Sequence, residues 1–83
     1  MTLLETYPLH RCVFRNDVLN LKELLNDEEI IKKINERDNH GNTPLNLALM
    51  LGRRNCIITL INSGCDIITR NNYGWNPLDE SIL

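Results

Sequence analysis

The chain repeats itself along its own length. Gly41 and Gly74 stand 33 residues apart, and Pro44/Pro77, Leu45/Leu78, Ala48/Ser81 and Ile34/Ile67 share that offset. A period of this size means that one supersecondary unit is being stacked, because a lone unit cannot bury its apolar stripe and needs neighbours to cover it. An upstream copy comes into register at an offset of 36, through Pro8/Pro44, Leu9/Leu45, Cys12/Ala48, Asn16/Gly52 and Leu24/Leu60. The offset is back to 33 at Ile34/Ile67, so an insertion of three residues lies between Leu25 and Ile34, most simply at Asp27 to Glu29.

Each copy reads as helix, tight turn, helix, then an extended hairpin. In the middle copy Thr43 is placed to cap a helix through its hydroxyl, and Pro44 takes the first helical position, where a missing N–H costs nothing. Gly52 suits the left-handed residue that ends this short helix, and Asn16, the next best left-handed residue, holds the same slot one copy earlier. Asp17 is the expected cap of the first outer helix, which presents Val18, Leu21, Leu24 and Leu25. The second outer helix presents Cys56, Ile57, Leu60 and Ile61 and stops at Gly64. The core is therefore expected between copies, with Leu9, Cys12, Leu21, Leu24 and Leu25 against Leu45, Ala48, Ile57, Leu60 and Ile61. Small side chains at Cys12, Ala48 and Ser81 allow adjacent helices to approach closely.

At these residues the chain resembles the ankyrin repeat, whose pattern runs D-x-x-G-x-T-P-L-H-x-A, a glycine, an outer helix ending in L-L, and G-A-D-V-N. "DNHGNTPLNLALMLGRRNCIITLINSGCDI" follows it through Asp38, Gly41, Thr43, Pro44, Leu45, Ala48, Gly52, Leu60, Ile61, Gly64, Cys65 (for Ala) and Asp66. The resemblance implies an all-α ankyrin-repeat solenoid of helix-turn-helix units joined by β-hairpin loops. It would hold about two full repeats and the start of a third: 7–37 as an amino-terminal repeat or cap, 38–70, and a truncated 71–83. The repeat's usual histidine is kept only as His10 and replaced by Asn46 and Asp79, and its threonine is replaced by Tyr7 and Asn76, so the polar ties between repeats should be thinned. "NPLDESIL" (76–83) begins an inner helix without its outer partner. The expectation is a portion of a longer protein, with Leu78, Ile82 and Leu83 exposed and self-association or repeat exchange through that end.

A narrower resemblance is carried by "YPLHRCVFRNDV" (7–18), "DNHGNTPLNLALMLG" (38–52) and "NNYGWNPLDESI" (71–82), which are similar to the amino-terminal ankyrin region of the ankyrin repeat domain-containing protein 13 family. That resemblance implies an adaptor or chaperone in receptor trafficking, with ubiquitin-binding motifs, where present, far downstream of these residues. It also implies a cytoplasmic location, in the full-length protein at the cytosolic face of endoplasmic reticulum or endosomal membranes.

Composition excludes several classes. With 83 residues, 42% hydrophobic and 24% charged, the chain has room for one modest core. No apolar run is long enough to span a membrane, and "MTLLETYPLHR" lacks the layout of a signal peptide. The net charge is −2 and the basic residues cluster only as Lys32-Lys33 and Arg53-Arg54, which argues against nucleic acid. Cys12, Cys56 and Cys65 form no C-x-x-C pattern and sit among apolar neighbours, as buried thiols of a reducing compartment do. His10 and His40 occupy different structural positions with no acid and nucleophile spaced to join them, so no catalytic site, metal or cofactor is expected and His10 reads as a structural histidine. "NDEE" (26–29) lacks the alternating ligands and glycine of a calcium loop.

Binding remains. In ankyrin stacks the hairpin tips and inner helices line a groove, and the resemblance places its free positions at Phe14, Arg15, Asn39, His40, Asn42, Met50, Leu51, Arg70, Asn72, Tyr73 and Trp75. Phe14, Met50, Leu51, Tyr73 and Trp75 make that groove rich in the residue types that dominate interfaces. The expected occupant is a protein segment or a downstream domain of the same chain. The competing assignment packs Phe14, Leu51 and Trp75 between copies as core. At the level of function, the alternatives to an adaptor are a regulatory ankyrin subunit that inhibits a kinase or transcription factor, and a targeting domain of an enzyme whose catalytic part lies elsewhere.

Overall fold

Capping and breaker chemistry sets the helix lengths. The computed structural model describes residues 7–68, and in them four short helices run α1 Pro8–Arg15, α2 Val18–Leu25, α3 Pro44–Leu51 and α4 Arg54–Asn62, with a 3₁₀ turn at Ile31–Lys33. Both inner helices start with proline at their first position. They end alike: Asn16 (φ 55°) and Gly52 (φ 70°) take the left-handed conformation. The following amides, of Asp17 and Arg53, reach back to the carbonyls of Cys12 and Ala48, each at 2.8 Å. These paired bonds absorb carbonyls that a helix end leaves orphaned. A Cβ on Gly52 would meet nothing within 4 Å, so Gly52→Ala isolates the backbone term, and it is expected to cost about 1 kcal/mol in chemical denaturation. Asn16→Gly should be close to neutral by the same measurement.

Side-chain caps fall where the sequence places them in α2 and α3. Asp17 accepts from the Asn20 amide at 3.1 Å, and the Thr43 hydroxyl accepts from the Asn46 amide at 3.1 Å. Asn46 closes the reciprocal half of a capping box, its Oδ1 accepting from the Thr43 amide. The asparagine that replaces the repeat's histidine thus takes part in its own helix start. Tyr7 gives α1 no side-chain cap.

The helices pair α1 with α2 and α3 with α4, and the pairs stack inner helix on inner helix and outer on outer. Leu9, Cys12, Val13 and Leu21 of the first pair meet Leu45, Ala48, Cys56 and Leu60 of the second in one core. Two expectations need correction here. Leu24 is only partly buried against that core, and Ile61 is 37% exposed, whereas its counterpart Leu25, with the second helix pair beside it, is 8% exposed. The physical reason is position in the stack: a residue on the trailing face of a pair is covered only by the next pair, and no described residue covers Ile61 as the second pair covers Leu25.

Polar ties join the pairs. His10 Nε2 donates to the Asn42 carbonyl at 2.7 Å, Arg53 donates to the Phe14 carbonyl at 3.0 Å, the Asp66 amide donates to Asn35 Oδ1 at 2.7 Å, and the Cys56 thiol approaches Asn16 Oδ1 at 3.7 Å. Between the pairs, Asp27 Oδ1 accepts from the amides of Glu29 and Ile30 and starts the turn that leads to Ile31–Lys33. Glu28 and Glu29 are exposed, as a solvated insertion requires. The hairpin is a tight loop from Asp38 to Asn42: the Asp38 amide donates to the Asn42 carbonyl at 2.9 Å, the Gly41 amide to the Asp38 carbonyl at 3.0 Å, and Asp38 Oδ1 accepts from the amides of His40 and Asn42. No strand occurs among the described residues.

Candidate protein-binding surface

Helical register decides which side chains of the inner helices face out. On α1 the buried residues are Leu9, His10, Cys12 and Val13, which leaves Phe14, Arg11 and Arg15 on the opposite arc. On α3 the same register leaves Met50, Leu47 and Leu51, each 36 residues on from its α1 counterpart. Phe14 is 51% exposed although the second helix pair is stacked beside it, and its counterpart Met50 is 52% exposed. Equal exposure with and without a described neighbour means that this position points out of the stack and is not covered by stacking. Leu51 is 40% exposed. The assignment of Phe14 to the core between copies is thereby excluded.

The hairpin tip overhangs this face. Phe14 and Leu47 from the two inner helices, His10 and Tyr7 at the start of α1, and Asp38, Asn39 and His40 of the tip surround an open cleft of about 290 Å³. Tyr7 and His10 meet edge to face with ring centroids 5.3 Å apart, so the buried imidazole is held from two sides.

Among the residues expected to be free, Phe14, Arg15, Asn39, His40, Met50 and Leu51 are exposed, and Phe14, Asn39 and His40 converge on the cleft. Asn42 is a correction: it is 4% exposed, because the chain leaving the hairpin passes under α1, where His10 takes its carbonyl and Asp38 its amide. Arg70, Asn72, Tyr73 and Trp75 lie outside the described residues. Leu47 and Tyr7 line the cleft without having been singled out. The signal for Leu47 was available, since it precedes Met50 by one helical turn.

Burial pushes the Cys12 and Cys56 thiols above their ordinary range, and burial, helped by the charge of Asp66, pushes Cys65 from 9.0 up to about 11. The thiolate needed for nucleophilic or metal chemistry is therefore disfavoured at neutral pH. Among the described residues no group of three or more His, Cys, Asp or Glu side chains is placed to hold a metal ion, and no helix is long and apolar enough to cross a membrane. The raised Cys65 value also has a stability consequence. Between pH 9 and about 11 the folded chain keeps a proton that the unfolded chain has lost, so stability is intact below pH 9 and falls as pH rises through that window. Urea titrations at pH 8 and pH 10.5 should show the loss, and Cys65→Ala should reduce it.

The comparison with known proteins agrees with this geometry. The profile for "Ankyrin repeats (3 copies)" matches residues 2–71. The chain belongs to the ankyrin repeat family. Ankyrin repeats are a protein-interaction architecture, and the outward arcs of α1 and α3 with the Asp38–Asn42 tip form its open side here. The chain is 43% identical over 76 residues to "Ankyrin repeat domain-containing protein 13C" of Mus musculus and of Homo sapiens, covering 92% of this chain and 13% of those proteins. It is 34% identical over 92% of its length to "Ankyrin repeat domain-containing protein 13B" of Homo sapiens, of which it spans 12%. No solved structure matches the chain.

Proposed function

We propose that this ankyrin stack is a non-catalytic interaction module of a larger intracellular adaptor or receptor-trafficking protein, working in the cytoplasm or at the cytosolic face of endoplasmic reticulum or endosomal membranes. In this reading the repeats divide as 7–37, 38–70 and 71–83. The partner contacts Phe14, Arg15, Asn39, His40, Met50 and Leu51, with Arg70, Asn72, Tyr73 and Trp75 continuing the surface.

The observation that carries the reading is the exposure of Phe14 and Met50 at the same outward position of successive inner helices. A large apolar side chain held in water on a rigid helix costs solubility and gains nothing for the fold, whereas against a partner it supplies interface energy. The similarity to the much longer protein 13C and 13B relatives supports the setting in a larger protein. Affinity purification of the full-length protein and of a form lacking residues 1–83 tests it: a specific set of partners should depend on these residues. If both forms recover the same partners, the module reading fails.

A further inference from the structure

Resting on that reading, we propose that the cleft receives one arginine or lysine side chain of a partner segment, its aliphatic stem along the apolar wall and its cationic head against Asp38. The lining is amphipathic in the same sense as such a side chain. Phe14 and Leu47 close the cleft where the inner helices meet, the rings of Tyr7, His10 and His40 stand around it, and Asp38 enters from the hairpin tip. At about 290 Å³ it lies at the lower edge of the ~300–1,000 Å³ range of small-molecule sites, a size that suits a single long side chain. The faces of phenylalanine and tyrosine attract a cation. The stem of a lysine or arginine covers apolar surface while its head stays polar.

Asp38 sets the charge of the site. Its Oδ1 accepts from the amides of His40 and Asn42, at 2.8 and 3.0 Å, while its Oδ2 has no hydrogen-bond partner among the described residues. The carboxylate is held by the tip it folds and is half-buried, so one oxygen is oriented and left over for a donor from outside. The chain's own cations do not supply that donor. Arg11 and Arg15 of α1 are outside the lining, and the Arg37 guanidinium reaches the Gly41 carbonyl at 3.4 Å. No described lysine or arginine forms an ion pair with Asp38. A carboxylate oxygen without a donor, set beside an apolar wall, is complementary to a guanidinium or ammonium and repels an acidic side chain. A purely apolar anchor would fill the same space but shield the carboxylate from water and give it no partner, which costs free energy. The free oxygen therefore selects a cation over both alternatives.

The test uses the full-length protein and four labelled twelve-residue peptides read by fluorescence anisotropy. The peptides are neutral runs of glycine, serine and asparagine that differ in one central residue: arginine, lysine, leucine or glutamate. The arginine and lysine peptides should bind about tenfold more tightly than the leucine one, the effect of a charge-assisted hydrogen bond to a half-buried carboxylate. The glutamate peptide should bind most weakly. Asp38→Asn keeps an oxygen for the amides of His40 and Asn42, so its unfolding midpoint should stay close to that of the parent while the preference for a cation disappears. Phe14→Leu keeps an apolar wall without a ring and should weaken the arginine peptide about threefold. Equal affinity for the arginine and leucine peptides would overturn the proposal. So would tighter binding of the glutamate peptide, a cation preference retained by folded Asp38→Asn, no binding of any peptide at millimolar concentration, or tighter binding of free spermidine than of the arginine peptide. If the cation preference is missing but recovery of partners still depends on residues 1–83, the module reading stands and only the cationic anchor is wrong.

Discussion

Leu45→Ala is expected to destabilise the stack by about 3 kcal/mol, enough to lower the midpoint of thermal unfolding by about 10–20 °C. Leu45 has no exposed surface and belongs to α3, the helix that packs against both α1 and α4. Truncation removes buried methyl groups at the junction of three helices, and α3, capped by the Thr43 side chain at one end and by backbone amides at Gly52 and Arg53 at the other, has little freedom to collapse into the cavity. A chain of 83 residues has only about 4–12 kcal/mol of stability in all, so a large part would go in one substitution. Leu19, 76% exposed on α2, is the matched control, and Leu19→Ala should change stability by less than about 0.5 kcal/mol. A loss below about 1 kcal/mol at Leu45 would contradict the placement of the core between the helix pairs.

His10→Ala should cost about 2–3 kcal/mol, the sum of a lost buried hydrogen bond and the cavity left by an imidazole. His10 is 2% exposed. Because a carbonyl can only accept, its Nε2 carries the proton that reaches Asn42 across the interface between the pairs. The Asn42 carbonyl keeps its bond from the Asp38 amide, so it is not orphaned, and this holds the cost below that of an abandoned buried polar group. His10→Gln, which retains a donor, should recover part of the loss. Urea denaturation of the three forms checks the order. A histidine that bound metal instead would show stability rising with added zinc, and none is expected.

The helix boundaries are legible in the sequence because their chemistry is local. Pro44, Thr43, Asp17, Gly52 and Asn16 act on backbone groups within a few residues, and each does in the structure what its type and position imply. The repeat offset extends that legibility to the stack, since Leu9, Leu45 and Leu60 can be buried only if copies cover one another.

What sequence could not decide depends on depth at a given register. Phe14, Met50 and Leu51 are core-like by type, and only the packed arrangement of α1 against α3 turns their arc outward. Asn42 has the opposite history. It is polar and next to a glycine, features of a free loop position, but its main chain runs beneath His10 and its side chain is drawn in with it. Asn46 shows a third case, where a departure from the repeat pattern adds a polar contact at the helix's own start. The distinction between these outcomes is a matter of tertiary contact, which residue type and spacing do not carry.

The outward arcs of α1 and α3 are proposed as a recognition surface. Quantitative proximity labelling of the full-length protein with and without Phe14→Asp and Met50→Asp tests it most directly. Both side chains are half exposed, so the double variant should keep the circular dichroism spectrum and unfolding midpoint of the parent. Labelling of the partners dependent on residues 1–83 should fall to background. Undiminished labelling of those partners by a folded double variant would contradict it.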